Sequence, residues 1–262
     1  MIPSDTRPTA RPFVHLIAGP TGVGKSAAAT ALARQSGAPV VVADRLQCFT
    51  DLATTSARAG ADVPGVRRYW LGDRTFADGD LCATAAADAL VALVERLGGR
   101  HRRVIVEGGS ISLLRELAAR RAGLDWRLTV RLLAPPDRAE YIAALTRRAQ
   151  EMLAPEAPGR SLLDELATLW REPRQRWLAA SVNGFEAVLE CCAKYGINVS
   201  DIGERPPSPH VLDRMAALIA ERHAEHGFLQ HRVFSEIFES RTADSGPGVA
   251  AAVATATVER AA

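Results

Sequence analysis

Residues 13–26 read FVHLIAGPTGVGKS, an apolar run that ends in Gly19-Pro-Thr-Gly-Val-Gly-Lys-Ser26. A Gly-x-x-x-x-Gly-Lys-[Ser/Thr] segment between a buried strand and a helix is the phosphate-binding P-loop. Its glycines let successive backbone N–H groups curl around an anion, and the helix that follows points its positive end at the same place. A chain built on such a loop needs a strand before it and a helix after it. That is the unit of a parallel sheet with crossover helices. Lys25 stands out for a second reason, since it and Lys194 are the only lysines among 32 basic residues. In a P-loop the lysine reaches the terminal phosphate and the hydroxyl at the Ser26 position ligates Mg²⁺.

The remainder of the chain supplies the other layers. PVVVAD (39–44) and RVIVEGG (103–109) read as buried strands, and WRLTVRLL (126–133) as a fourth. Helical patterns separate them: Lys25 to Gln35, a stretch capped by Asp80 and running to about Leu97, and one from the glycine turn at 108–109 through Arg121. Residues 45–79 read as irregular. After Pro135-Pro136 the character changes. Asp137 with Glu140 forms a capping box for a helix to about Leu153, helical patterns follow over 161–170 and 174–195, and Ser208-Pro209 opens the last stretch, ending near Phe238. The expected organisation is a disordered arm (1–12), a P-loop α/β core (13–134), a helical lid (135–200), C-terminal helices completing the fold (201–240) and a disordered Ala/Val/Thr-rich tail (241–262). The fold class is α/β, a P-loop NTPase-like parallel sheet with helices on both faces and a helical lid or insertion.

Composition narrows the function. With 262 residues, 47% hydrophobic and 24% charged, the chain has ordinary globular usage. It lacks a run of about 18 apolar residues, and MIPSDTRPTARPF offers no signal-peptide core, so a cytoplasmic protein with no membrane partner is expected. Thirty-two basic against 30 acidic residues give a net charge of +2, which exerts no global pull on nucleic acid. Cys48, Cys82, Cys191 and Cys192 form no C-x-x-C and have no histidine at zinc spacing, so free thiols are expected.

Parallel strands end on one rim, so Asp44 after the second strand and Glu107 at the end of RVIVEGG both lie near the P-loop. A carboxylate facing a bound diphosphate can deprotonate an acceptor, which makes Asp44 a candidate general base; its other reading is a turn aspartate. Glu107 reads equally as a metal-side ligand or a structural hydrogen-bonder. Thr21, inside the loop, places a hydroxyl where a breaking bond would lie, or stabilises the loop itself.

Gly19–Ser26 followed by ADRLQC (43–48) resembles the adenylate isopentenyltransferases, the bacterial cytokinin synthases. The resemblance extends through TTSAR (54–58), YWLGDR (69–74), VEGGSISLL (106–114), RAQEML (148–153), LLDELATLW (162–170) and AERHAEHGFLQ (220–230). It implies transfer of a dimethylallyl group, or its 4-hydroxylated form, from the allylic diphosphate to the exocyclic amine of an adenosine phosphate, with Mg²⁺. The P-loop then holds the donor's diphosphate through Gly22, Gly24, Lys25 and Ser26, with Arg148 contacting phosphate. Asp44 takes the amine proton and Thr21 lies near the bridging oxygen. Ser56, Arg58 and Ser110 fall on the acceptor side, and Asn183 and His226 line the prenyl pocket. In some members the first of that pair is Asp, so Asn183 departs from them. The implied partners are small molecules, not nucleic acid, and a monomer is favoured.

Two rivals share the P-loop and the aspartate. A tRNA dimethylallyltransferase also has the R-x-x-x-M-L segment but calls for a basic surface. A small-molecule kinase would lack ADRLQC and EGGS. A regulatory nucleotide-binding module would need a metal-binding aspartate where RVIVEGG has Glu107.

Overall fold

The computed structural model describes residues 11–58, 63–155 and 159–238. The expected arm, apart from Arg11 and Pro12, and the whole of the expected tail lie outside the described residues.

Five parallel strands form one sheet: β1 (Phe13–Ala18), β2 (Val40–Ala43), β3 (Arg68–Trp70), β4 (Arg103–Gly108) and β5 (Arg127–Leu132), in the order β3-β2-β4-β1-β5. Four of the five are the predicted apolar runs. The fifth, β3, lies inside the segment read as irregular. It has only three residues, all half-buried, and owes its place to pairing with β2 rather than to an apolar pattern of its own.

Alternation along the strands sends side chains to two faces. On one, Ile17, Val40 and Ile105 pack against Ala29 and Ala33 of α1 (Lys25–Ser36). On the other, Val14, Leu16, Val104 and Val106 meet α2 (Ala83–Gly98) and α3 (Ile111–Arg120). At the edge, β5 only half-buries Leu128, Val130 and Leu132 and turns Arg127, Thr129 and Arg131 to solvent. Charges of this kind deter edge-to-edge pairing with another sheet. The N-cap of α2 is Cys82, whose sulfur accepts the Ala85 N–H, and not Asp80 as predicted. Asp80 instead pairs with Arg45.

Beyond β5 the described residues carry helices and no further strand: α4 (Arg138–Leu153), α5 (Leu162–Trp170), α6 (Arg176–Ala179), α7 (Phe185–Tyr195) and α8 (Pro209–Phe238). Asp137 caps α4 by accepting the N–H groups of Ala139 and Glu140. The pattern over 174–195 is not one helix. A 3₁₀ turn, Pro173–Gln175, leads into the four-residue α6, and α7 starts only after Gly184. Gly184 has φ +101°, a backbone conformation that a side-chain-bearing residue adopts only with strain. Leu162, Leu166, Phe185, Val188, Met215 and Ile219 form the apolar centre of this layer. The last helix is a single 30-residue element. Among the described residues no helix is long and apolar enough to cross a membrane.

Candidate active site

Strands β1, β2 and β4 end on one rim, and a cleft of about 980 Å³ opens over it. It brings together most of the residues picked from the sequence: Thr21, Gly22, Gly24, Lys25, Ser26, Asp44, Ser56, Ser110, Arg148, Asn183 and His226. Arg58 is not among them.

The P-loop takes its shape from glycine conformation. Gly22 and Gly24 have φ of +80° and +89°, which L side chains rarely adopt. Lys25 opens α1 and donates from Nζ to the Pro20 carbonyl at 2.5 Å, folded back over the loop. Burial lowers the pKa of its ammonium to about 8, against the opposing pull of Asp44 and Glu107. On the other side of Lys25, Gly109 is so close that an added Cβ would sit 3.3 Å from Nζ. The glycine turn after β4 therefore gives the lysine its room.

Asp44 follows β2 directly. Its Oδ1 accepts the Leu46 N–H at 2.9 Å and starts the 3₁₀ turn Leu46–Cys48, while the carboxylate lines the cleft. The turn reading is thus realised, and the same carboxylate stays open to the cleft. Glu107 forms an ion pair with Arg68 of β3, each side chain only 4% exposed. Arg68 also donates to the Ser26 carbonyl at 3.1 Å and to Thr30 Oγ1 at 2.7 Å. A buried arginine thus ties Glu107 to α1. Its strand being too short to register as one, Arg68 had no signal in the sequence.

The opposite wall is assembled from distant segments. Glu165 of α5, 2% exposed, accepts the Thr54 N–H (2.8 Å), the Thr55 N–H (2.9 Å) and the Thr55 hydroxyl (2.6 Å). This grip holds TTSAR so that Ser56 and Ala57 face the cleft, Ala57 with φ +57°. One residue further on, Arg58 turns away. It donates to the Gln47 carbonyl at 2.9 Å, stacks 4.6 Å above the Trp70 ring and pairs with Asp73. In this conformation it braces the wall from behind.

Asn183 and His226 face the same chamber as Met152, Leu178 and Val182, a mixed apolar and polar lining. A second histidine, His223, lies with them and was not singled out in the sequence. Its Nδ1 is 2.8 Å from the Ile219 carbonyl, and burial lowers the pKa of both rings, favouring the neutral forms. Gln230, one helical turn beyond His226 on α8, was also missed and reaches the P-loop.

The isopentenyl transferase family profile matches residues 12–244. An adenylate dimethylallyltransferase of Rhodococcoides fascians is 40% identical over 92% of each chain. One of Agrobacterium fabrum is 33% identical over 86% of this chain and 92% of its own. Among solved structures, a tRNA isopentenylpyrophosphate transferase of Staphylococcus epidermidis superposes with a TM-score of 0.62 at 12% identity, covering 86% of this chain and 90% of that one, a likeness of fold. Profile, relatives and fold agree: the chain belongs to the isopentenyl transferase family.

Proposed function

We propose that this protein is an adenylate isopentenyltransferase. It moves a dimethylallyl group, or its 4-hydroxylated form, from the allylic diphosphate to the exocyclic 6-amino group of AMP, the first step of cytokinin synthesis. The observation that carries the reading is the sharing of one cleft by a diphosphate-binding loop, a carboxylate at its rim and a partly apolar chamber beside both. The names of the relatives described above support the same substrates.

An allylic diphosphate ionises readily once the charge of its leaving group is neutralised. The P-loop N–H groups, Lys25 and Arg148 supply that neutralisation, and the Thr21 hydroxyl addresses the bridging oxygen. The adenine amine is a weak nucleophile because its lone pair is delocalised into the ring. Asp44 accepts a hydrogen bond from one of its N–H groups, orients the lone pair at the allylic carbon and takes the proton as the C–N bond forms. Asn183 and His226 flank the prenyl tail.

Magnesium fits the donor set. Among the described residues no cluster of three or more His, Cys, Asp or Glu forms a metal cage, but Mg²⁺ commonly binds through substrate phosphates and one or two protein oxygens. The Ser26 hydroxyl lines the cleft beside the loop and would serve. When bound, the ion would offset the negative charge of the diphosphate. The protein is read as a cytoplasmic monomer that acts on small molecules, with the α4–α7 region as a lid.

The test is incubation with Mg²⁺, AMP and dimethylallyl diphosphate, followed by mass spectrometry. A gain of one dimethylallyl group on AMP is expected. Modification of tRNA with AMP untouched would instead favour the tRNA enzymes that share the fold, and transfer of a γ-phosphate from ATP would favour a kinase.

A further inference from the structure

Thr21 is held from outside the P-loop through the backbone on both sides of its Cα. Its carbonyl accepts a 2.5 Å hydrogen bond from the Tyr141 hydroxyl on α4. Its N–H donates at 3.2 Å to Gln230 Oε1 on α8. Gln230 also donates from Nε2 to the Gly109 carbonyl at 2.5 Å, so it spans the P-loop and the glycine turn beside Lys25. Both side chains are buried, Tyr141 to 1% and Gln230 to 4% exposure.

The slot for the tyrosine is built for it. A Cβ on Gly227 of α8 would collide with the Tyr141 hydroxyl, so only glycine at that turn lets the ring reach the loop. Phe228 closes against the ring edge-on, with centroids 5.8 Å apart. Burial raises the phenol pKa to about 12, which keeps it a donor throughout the physiological range.

A P-loop ordinarily takes its shape from its own glycines and the following helix. Here the residue bearing the hydroxyl at the reacting end has its N–H and C=O pinned by two helices that are not part of the P-loop unit. The two peptide planes that flank the Thr21 Cα are each held from outside, which fixes the backbone torsions there and with them the direction of the Cα–Cβ bond.

We infer that Tyr141 and Gln230 are positioning residues for the transfer reaction: they fix the backbone on both sides of Thr21 and so set the direction in which its hydroxyl-bearing side chain leaves the loop, toward the bridging oxygen. The inference rests on the proposed function. Neither side chain touches the reacting atoms in this scheme, so their effect passes through Thr21. A displacement of about 1 Å at a reacting group costs up to roughly 100-fold in rate.

The experiment is a double-mutant cycle with AMP and dimethylallyl diphosphate, using Tyr141→Phe, Thr21→Ala and the pair. Tyr141→Phe removes one oxygen and keeps the ring, so the fold should survive, as thermal melting will report. The expected result is a fall in kcat of about 10- to 100-fold with KM for both substrates within about threefold of wild type. In the Thr21→Ala background the same change should cost less than about twofold, since the hydroxyl it aims is gone. Gln230→Met, which keeps the volume and loses both hydrogen bonds, should behave likewise. Equal losses with and without the Thr21 hydroxyl, or a normal kcat in Tyr141→Phe, would overturn the inference. Wild-type protein that fails to prenylate AMP would overturn the proposed function instead, before any variant is compared.

Discussion

At the P-loop end of the cleft, one run of eight residues, Gly19 to Ser26, supplies a lysine and backbone N–H groups, Pro20 having none and that of Thr21 being taken by Gln230. At the far end, Ser56, Asn183 and His226 come from three segments well separated in the chain and meet only after the helical layer has packed. The first end is a local structure: two glycines in the left-handed region and a helix start produce most of it. The second is a tertiary structure, kept in place by groups such as Glu165 that never face the substrate. Substitutions at the two ends should therefore fail differently. Loss of a loop or rim group should remove chemistry and leave the fold, whereas loss of a wall support should remove fold and specificity together.

The largest effect should come from Asp44→Asn. The amide can still cap the turn at Leu46 but cannot take a proton, so turnover should fall by about 10²- to 10⁴-fold. Nucleotide binding by calorimetry should change little; retained turnover would remove Asp44 as the base. Next, pyrophosphate affinity should respond to Lys25. The anion selects the protonated amine, whose pKa in the free protein is about 8. Affinity should hold level below that pH and fall above it, approaching tenfold per unit. Lys25→Met sees the same ionisation of the ligand and should lack this break; if it keeps the break, the lysine is not its source.

At the other end, Glu165→Ala strands three donors in the interior. A cost of about 1–3 kcal/mol for each donor left without an acceptor predicts a clear drop in melting temperature. KM for AMP should rise as Ser56 loses its support, while pyrophosphate affinity stays near wild type. If the two affinities fell together, the ends would not be separable as described. The smallest effect is expected from Asn183→Asp, which should shift preference toward the hydroxylated donor by up to about tenfold, the worth of one net hydrogen bond. An unchanged ratio of kcat/KM for the two donors would take this residue out of the prenyl pocket's discrimination.

The same contrast explains what could be read from the sequence. Four strands and the P-loop were legible because each is a continuous run with its own pattern. Strand β3 was not: three half-buried residues carry no periodicity, and with it went Arg68 and the partner of Glu107. The break at Gly184 hid in a window whose apolar residues also fit one helix, since the signal lies in a φ of +101° that a glycine permits but does not announce. His223, Tyr141 and Gln230 sit at ordinary helical positions and acquire meaning only from what they meet across the fold. Arg58 shows the converse. The resemblance sets it on the acceptor side, but Trp70, Asp73 and the Gln47 carbonyl satisfy its guanidinium behind the wall.

Helix α8, 30 residues and about 45 Å long, enters three apolar clusters in succession. Val211, Met215 and Ile219 belong to the centre of the helical layer, Ala220 and Ala224 to the packing around Tyr141, and Val233, Phe234 and Phe238 to the sheet. A rod shared in this way makes the layers one cooperative unit. Amide hydrogens along α8 are therefore expected to exchange at a common, near-global rate, and a two-step pattern with one end exchanging far faster would show that the layers open separately.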